Sequence, residues 1–136
     1  MSDTKLNTLE QPEVMAFFDA QTNTISYIVK DPSSTACAVI DSVMNMDYAA
    51  GRITFKSADE IVKTIKDQGL ELQWIIETHV HADHLSAAPY LQEQLGGKIG
   101  ISEKIIHTQF ILNLEVGLVL EHILQQNYVF AGLNKV

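Results

Sequence analysis

Three histidines and an aspartate fall within six positions, in the string His79-Val80-His81-Ala82-Asp83-His84. In an extended segment, residues two apart point the same way, so His79 and His81 can offer two imidazoles to one ion. Asp83 and His84 follow at once and can serve an adjacent ion. Imidazole together with carboxylate suits zinc, iron or manganese. A solvated histidine-rich turn would need the same residue types and no metal. A lone His-x-His would not separate the two readings. The full string, directly after an apolar run that ends Glu77-Thr78, favours the metal.

Such a loop needs rigid elements on either side to hold its donors in place. Leu72 to Glu77 is an apolar, strand-like run leading into it, and Ser86 after it fits the N-cap of a helix. Pro89 is tolerated in that helix's first turn, Ala87, Leu91 and Leu95 make its apolar stripe, and Gly96-Gly97 ends it. Lys98 to Ser102 reads as a short strand. Upstream, Ser57-Ala58-Asp59-Glu60 fits a capping box, Ala58, Ile61, Val62 and Ile65 share one helical face, and Gly69 supplies a left-handed stop. Strands are expected at Val14 to Phe18, Thr24 to Val29 and Ala36 to Ile40. The turn chemistry of Asp31-Pro32-Ser33-Ser34 favours antiparallel pairing of the last two. Ser42 to Lys56 shows no clear period and reads as a long loop. Strand, helix, strand, helix, strand over 36 to 102 is α/β order. From Ile105 to Phe130 the chain is rich in Ile, Leu, Val and Phe, and a helical tail is expected.

The chain has 136 residues, enough for one domain with a sizeable core, and is 46% apolar and 19% charged, as soluble globular proteins are. Its net charge of −8 argues against nucleic acid or an anionic membrane as partner, since both need basic surface. The single cysteine, Cys37, lies in the apolar run Ala36-Cys37-Ala38-Val39-Ile40 and reads as a buried structural thiol. The polar start, Met1-Ser2-Asp3-Thr4-Lys5, leads into no apolar core of a signal peptide. Phe110 to Leu124 is too short and too interrupted for a membrane span. A cytoplasmic location is the expectation.

The histidine string resembles the signature of the metallo-β-lactamase superfamily. The wider stretch Glu77-Thr78-His79-Val80-His81-Ala82-Asp83-His84-Leu85-Ser86-Ala87-Ala88, with Ser57-Ala58-Asp59-Glu60-Ile61 and Ala38-Val39-Ile40-Asp41, resembles its glyoxalase II and persulfide dioxygenase branch. The resemblance covers about residues 13 to 103. It implies an α/β fold, the N-terminal half of an αβ/βα sandwich, with residues 104 to 136 as a divergent tail. It implies that His79 and His81 bind a first metal and that Asp83 and His84 bind a second where the site is dinuclear. In the iron-dependent dioxygenases only the first histidine of the motif ligates, joined by a later histidine and aspartate. Asp83 would also orient a metal-bound water. Zinc or iron, one or two ions, is the implied cofactor, and a small-molecule thioester or glutathione persulfide the implied substrate. Asp41 matches a position that supports the site without ligating, and Ser42 stands where that family usually has proline.

The family's site draws a further histidine and a bridging aspartate from downstream of the motif. No aspartate occurs after Asp83, where the acidic residues are Glu93, Glu103, Glu115 and Glu121. His107 and His122 remain, each read as an ordinary helix histidine. A premature stop or a shifted frame in a longer gene would give such a tail, and so would a short protein with its own helical cap. Two function classes therefore stand: a metal-dependent hydrolase or sulfur dioxygenase, and a truncated, inactive relative that at most binds or self-associates. A homo-oligomer in which His107 or His122 of one chain completes the site of another is a third, weaker expectation.

Overall fold

The computed structural model describes residues 11–79, 81 and 84–101. Strands β1 (Glu13–Asp19), β2 (Thr24–Lys30) and β3 (Ala36–Ile40) come first, then a short pair, β4 (Val43–Asp47) and β5 (Arg52–Thr54). Helix α1 (Lys56–Asp67), β6 (Glu71–Glu77), β7 (Leu85–Ser86), α2 (Ala88–Leu95) and β8 (Lys98–Ile101) follow. The main sheet runs β1-β2-β3-β6-β8. Its first three strands are antiparallel and β3, β6 and β8 are parallel, as the α/β order implies. A small second sheet runs β5-β4-β7.

Alternation along the strands separates two faces. Ile28, Val39, Ile75 and Ile99 point to the helices and are at most 1% exposed. Against them α1 buries Ala58, Ile61, Val62 and Ile65, the stripe that sequence periodicity picks out, and α2 buries Ala88 and Leu91. Each fully buried aliphatic side chain of this layer contributes roughly 1.5–3 kcal/mol. The C-terminus of α1 closes as expected. Gly69 sits at φ +63, its amide donates to the Lys66 carbonyl (3.2 Å), and the Leu70 amide donates to the Ile65 carbonyl (2.9 Å). The other face carries Val14, Ala16 and Phe18 opposite Val29, Tyr27 and Ile25. It continues through Ala38 and Ile40 to Trp74 and Ile76. Among the described residues no helix covers that side, and Phe18 is 64% exposed.

Three local expectations are corrected. The stretch 42–56 is not a featureless loop. It holds the hairpin β4–β5, whose alternation is hidden because its second buried position is a polar residue, Asn45. The capping box at Ser57 does not form: α1 begins two residues earlier, at Lys56, with Phe55 as an N-cap that lends no side-chain bond. Ser57 is drawn instead into a longer-range network. Its amide donates to Asn45 Oδ1 (2.9 Å) and its hydroxyl to Asp19 Oδ1 (2.8 Å). The N-cap of α2 is Ala87, although Ser86 does a neighbouring job, its Oγ accepting the Ala88 amide at 3.0 Å. The expected tail helix, residues 104 to 136, lies outside the described residues.

Candidate metal centre

The parallel strands β3 and β6 end side by side, and the residues that leave those ends build the site. Asp41, directly after β3, has a left-handed backbone (φ +53), a conformation that aspartate tolerates better than most residues. It is pinned on both backbone sides. Its amide donates to the Ile76 carbonyl (2.9 Å), and its carbonyl accepts the Ser26 hydroxyl (2.7 Å). The pinned backbone aims the carboxylate at the start of the histidine loop.

That carboxylate organises two of the three histidines. Asp41 Oδ1 accepts the Thr78 amide (2.8 Å) and faces His81 Nε2 (3.1 Å), while Oδ2 accepts the Thr78 hydroxyl (2.5 Å). Thr78 Oγ1 in turn lies 2.7 Å from His79 Nδ1. A hydroxyl has one proton to give. Since Thr78 gives it to Asp41, its oxygen accepts from His79 Nδ1–H, and Nε2 of His79 keeps its lone pair. In its neutral form His81 carries its proton on Nε2, against the carboxylate, and keeps its lone pair on Nδ1. One aspartate thus fixes both tautomers through its two oxygens.

The charges follow the same contacts. Burial alone would raise the Asp41 carboxyl, but the Thr78 hydroxyl and amide and the His81 ring hold it below the usual carboxylate range. His81 is raised above the ordinary imidazole value, by the Glu77 carboxylate first and by Asp41 as well, against the opposing pull of burial. Of the two carboxylates, Asp41 is the hydrogen-bond acceptor. Glu77 Oε2, 3.4 Å from His81 Nε2, stands farther off, in ion-pair range.

The three rings cluster. The centroid of His81 lies 4.1 Å from that of His79 and 4.2 Å from that of His84. His79 is exposed and His84 buried, with His84 Nδ1 3.4 Å from Thr24 Oγ1 at the start of β2. Asp41, His79 and His81 each offer a donor atom within 4.8 Å of the others. Both oxygens of Asp41 already accept protein donors, so the donor set fits a cation best as imidazoles backed by a carboxylate. Of the residues singled out from sequence, the structure brings together His79, His81, His84 and Asp41. Asp83 lies outside the described residues, as do Glu103, Glu115, Glu121, His107 and His122, and Glu93 is exposed on α2. Sequence reasoning gave no role to Thr78, Glu77, Ser26 or Thr24. Thr78 and Glu77 stood inside the motif stretch and could have been suspected. Ser26 and Thr24, on a strand far upstream of the motif, carried no signal.

The sequence profile of the Metallo-beta-lactamase superfamily matches residues 21–111. A protein of Burkholderia pseudomallei named probable metallo-hydrolase is 47% identical over 96 residues, covering 71% of this chain and 33% of that protein. Glyoxylase B2 of Dictyostelium discoideum is 39% identical over 108 residues, 76% of this chain and 37% of the other. The mitochondrial persulfide dioxygenase ETHE1 of Homo sapiens is 27% identical over 100 residues, 74% and 35%. The chain spans about a third of the length of each of these relatives.

Proposed function

This chain belongs to the metallo-β-lactamase superfamily, and on that footing we propose that His79, His81 and His84, with Asp83, hold one or two ions of zinc or iron for chemistry on a thioester or persulfide of a small thiol. The observation that carries the reading is the Asp41 clamp, which leaves one lone pair on His79 and one on His81 for a cation. When bound, such a metal supplies a nucleophilic hydroxide and polarises a carbonyl, or at a single iron leaves positions open for oxygen and substrate. This chain's own residues hold and orient the imidazoles, and Asp83 orients the attacking water. The glyoxylase B2 and persulfide dioxygenase relatives keep both chemistries in view. A cytoplasmic site of action accords with both, because small thiols are kept reduced there.

Metal analysis of the purified chain, with turnover assays on a glutathione thioester and a glutathione persulfide, tests the proposal. Zinc near two per chain with thioester hydrolysis supports the hydrolase, and iron near one with oxygen uptake supports the dioxygenase. Substoichiometric metal with neither activity would establish the second reading, a non-catalytic relative. That reading is favoured by one observation, that residues 84–136 hold no aspartate.

A further inference from the structure

Glu77 is the last residue of β6 and points to the helix-covered side of the sheet, where its carboxylate is only 7% exposed. A carboxylate in such a place is costly unless its oxygens find partners. Oε1 has one, the Ser86 hydroxyl. Ser86 Oγ also accepts the Ala88 amide, the first of α2. Glu77 and Ser86 flank the histidine loop, so their bond closes its base between β6 and α2. Oε2 is different. It is buried, meets no donor other than His81 among the described residues, and lies 3.4 Å from His81 Nε2, the nitrogen that also faces Asp41. If closing the loop were the whole task, a neutral glutamine could accept from Ser86 equally well, without the cost of a buried charge.

We propose that Glu77 is a positioning residue of the metal centre: with Asp41 it brackets the Nε2–H of His81, and through Ser86 it is itself held in place, so that His81 presents Nδ1 to the cation. This rests on the metal-site reading above. The two carboxylates divide the work. Asp41 reaches His81 from the end of β3, and Glu77 reaches it from β6, the strand that launches the loop. A ring held from two strands cannot rotate about its Cβ–Cγ bond without losing one contact.

The test compares full-length wild type with Glu77→Gln and His81→Ala. Zn²⁺ and Co²⁺ affinity is measured by competition with a chelating dye, and the imidazole tautomers by long-range ¹⁵N NMR. Glu77→Gln keeps the acceptor for Ser86 but turns an N–H toward His81 Nε2. The expected result is an affinity loss of about 10- to 100-fold, the usual cost of losing a carboxylate behind a ligating histidine. A shift of His81 toward the Nδ1–H form should accompany it, with the unfolding midpoint little changed. Unchanged affinity in Glu77→Gln, with a large loss in His81→Ala, overturns the proposal and leaves the metal site standing. Unchanged affinity in His81→Ala overturns the metal-site reading itself. Should Glu77→Gln fail to fold, the wild-type spectrum decides: an Nε2–H tautomer at His81 is required, and Nδ1–H overturns the proposal.

Discussion

Asp41 concentrates more of the site's organisation than any histidine does. Replacing it with Asn keeps the size and the tolerance of a left-handed backbone, but a neutral amide has one acceptor oxygen where the carboxylate has two. Asp41→Asn should therefore weaken Zn²⁺ binding by about 10- to 100-fold, measured by calorimetry, while the far-ultraviolet circular dichroism stays that of the wild type. Thr78→Val is the finer probe. It removes the hydroxyl between Asp41 and His79 but spares the amide bond, so it should loosen His79 alone and cost about tenfold at most. The histidines were legible in the sequence because a metal site needs scarce residue types at tight spacing. Thr78 and Ser26 were not, because a hydroxyl reports its partner only once the chain is folded. Asp41 was flagged by resemblance, and its geometry explains why an acid belongs there.

At the scale of elements, the boundaries that sequence found are those set by local chemistry, such as β3 over 36–40 and the buried stripe of α1. The ones it missed were decided by distant partners. Asp19, at the end of β1, accepts from the amide and hydroxyl of Thr22 and from the side chains of Asn45 and Ser57, and so ties β1, β4 and α1 together. No local pattern announces a bond across 38 positions. Burial would raise this carboxyl, but those donors together hold it below the ordinary carboxylate value. The folded form thus prefers the ionised group. Its stabilising effect is complete above the unfolded value of about 3.9 and fades as pH falls through the lower folded value. Urea unfolding from pH 6 to pH 2 should show this acid-side loss in the wild type and a flatter profile in Asp19→Asn, whose stability at pH 6 should be lower by about 2 kcal/mol. Two glycines give a matched contrast. At Gly97, φ is +90 and an added Cβ would stand 2.9 Å from the Leu72 carbonyl oxygen, whereas at Gly69 it would meet nothing. Gly97→Ala should cost about 3 kcal/mol and Gly69→Ala about 1 kcal/mol in the same assay.

For the whole molecule, the sheet face that no described helix covers sets the behaviour in solution. Val14, Phe18 and Ile25 are 57%, 64% and 42% exposed and sit together on β1 and β2. Contiguous apolar surface of this kind promotes association. Sedimentation of this 136-residue chain should show species larger than a monomer at micromolar concentration, and Phe18→Lys should shift them toward the monomer. A variant that unfolds instead would mean that the face is covered within the chain. The parallel pairing of β3 with β6 has a consequence in time. The strands β1 to β3 meet through short turns, but bringing Asp41 to Thr78 closes 37 positions of chain, with α1 formed between them. Contacts that remote are made late, because the entropy of loop closure comes before any reward. The only tryptophan, Trp74, lies in β6 opposite Ala38 and reports that closure. In a refolding experiment its fluorescence change and the onset of Co²⁺ binding should share one rate, so the arrival of the metal would mark the moment the sheet is finished.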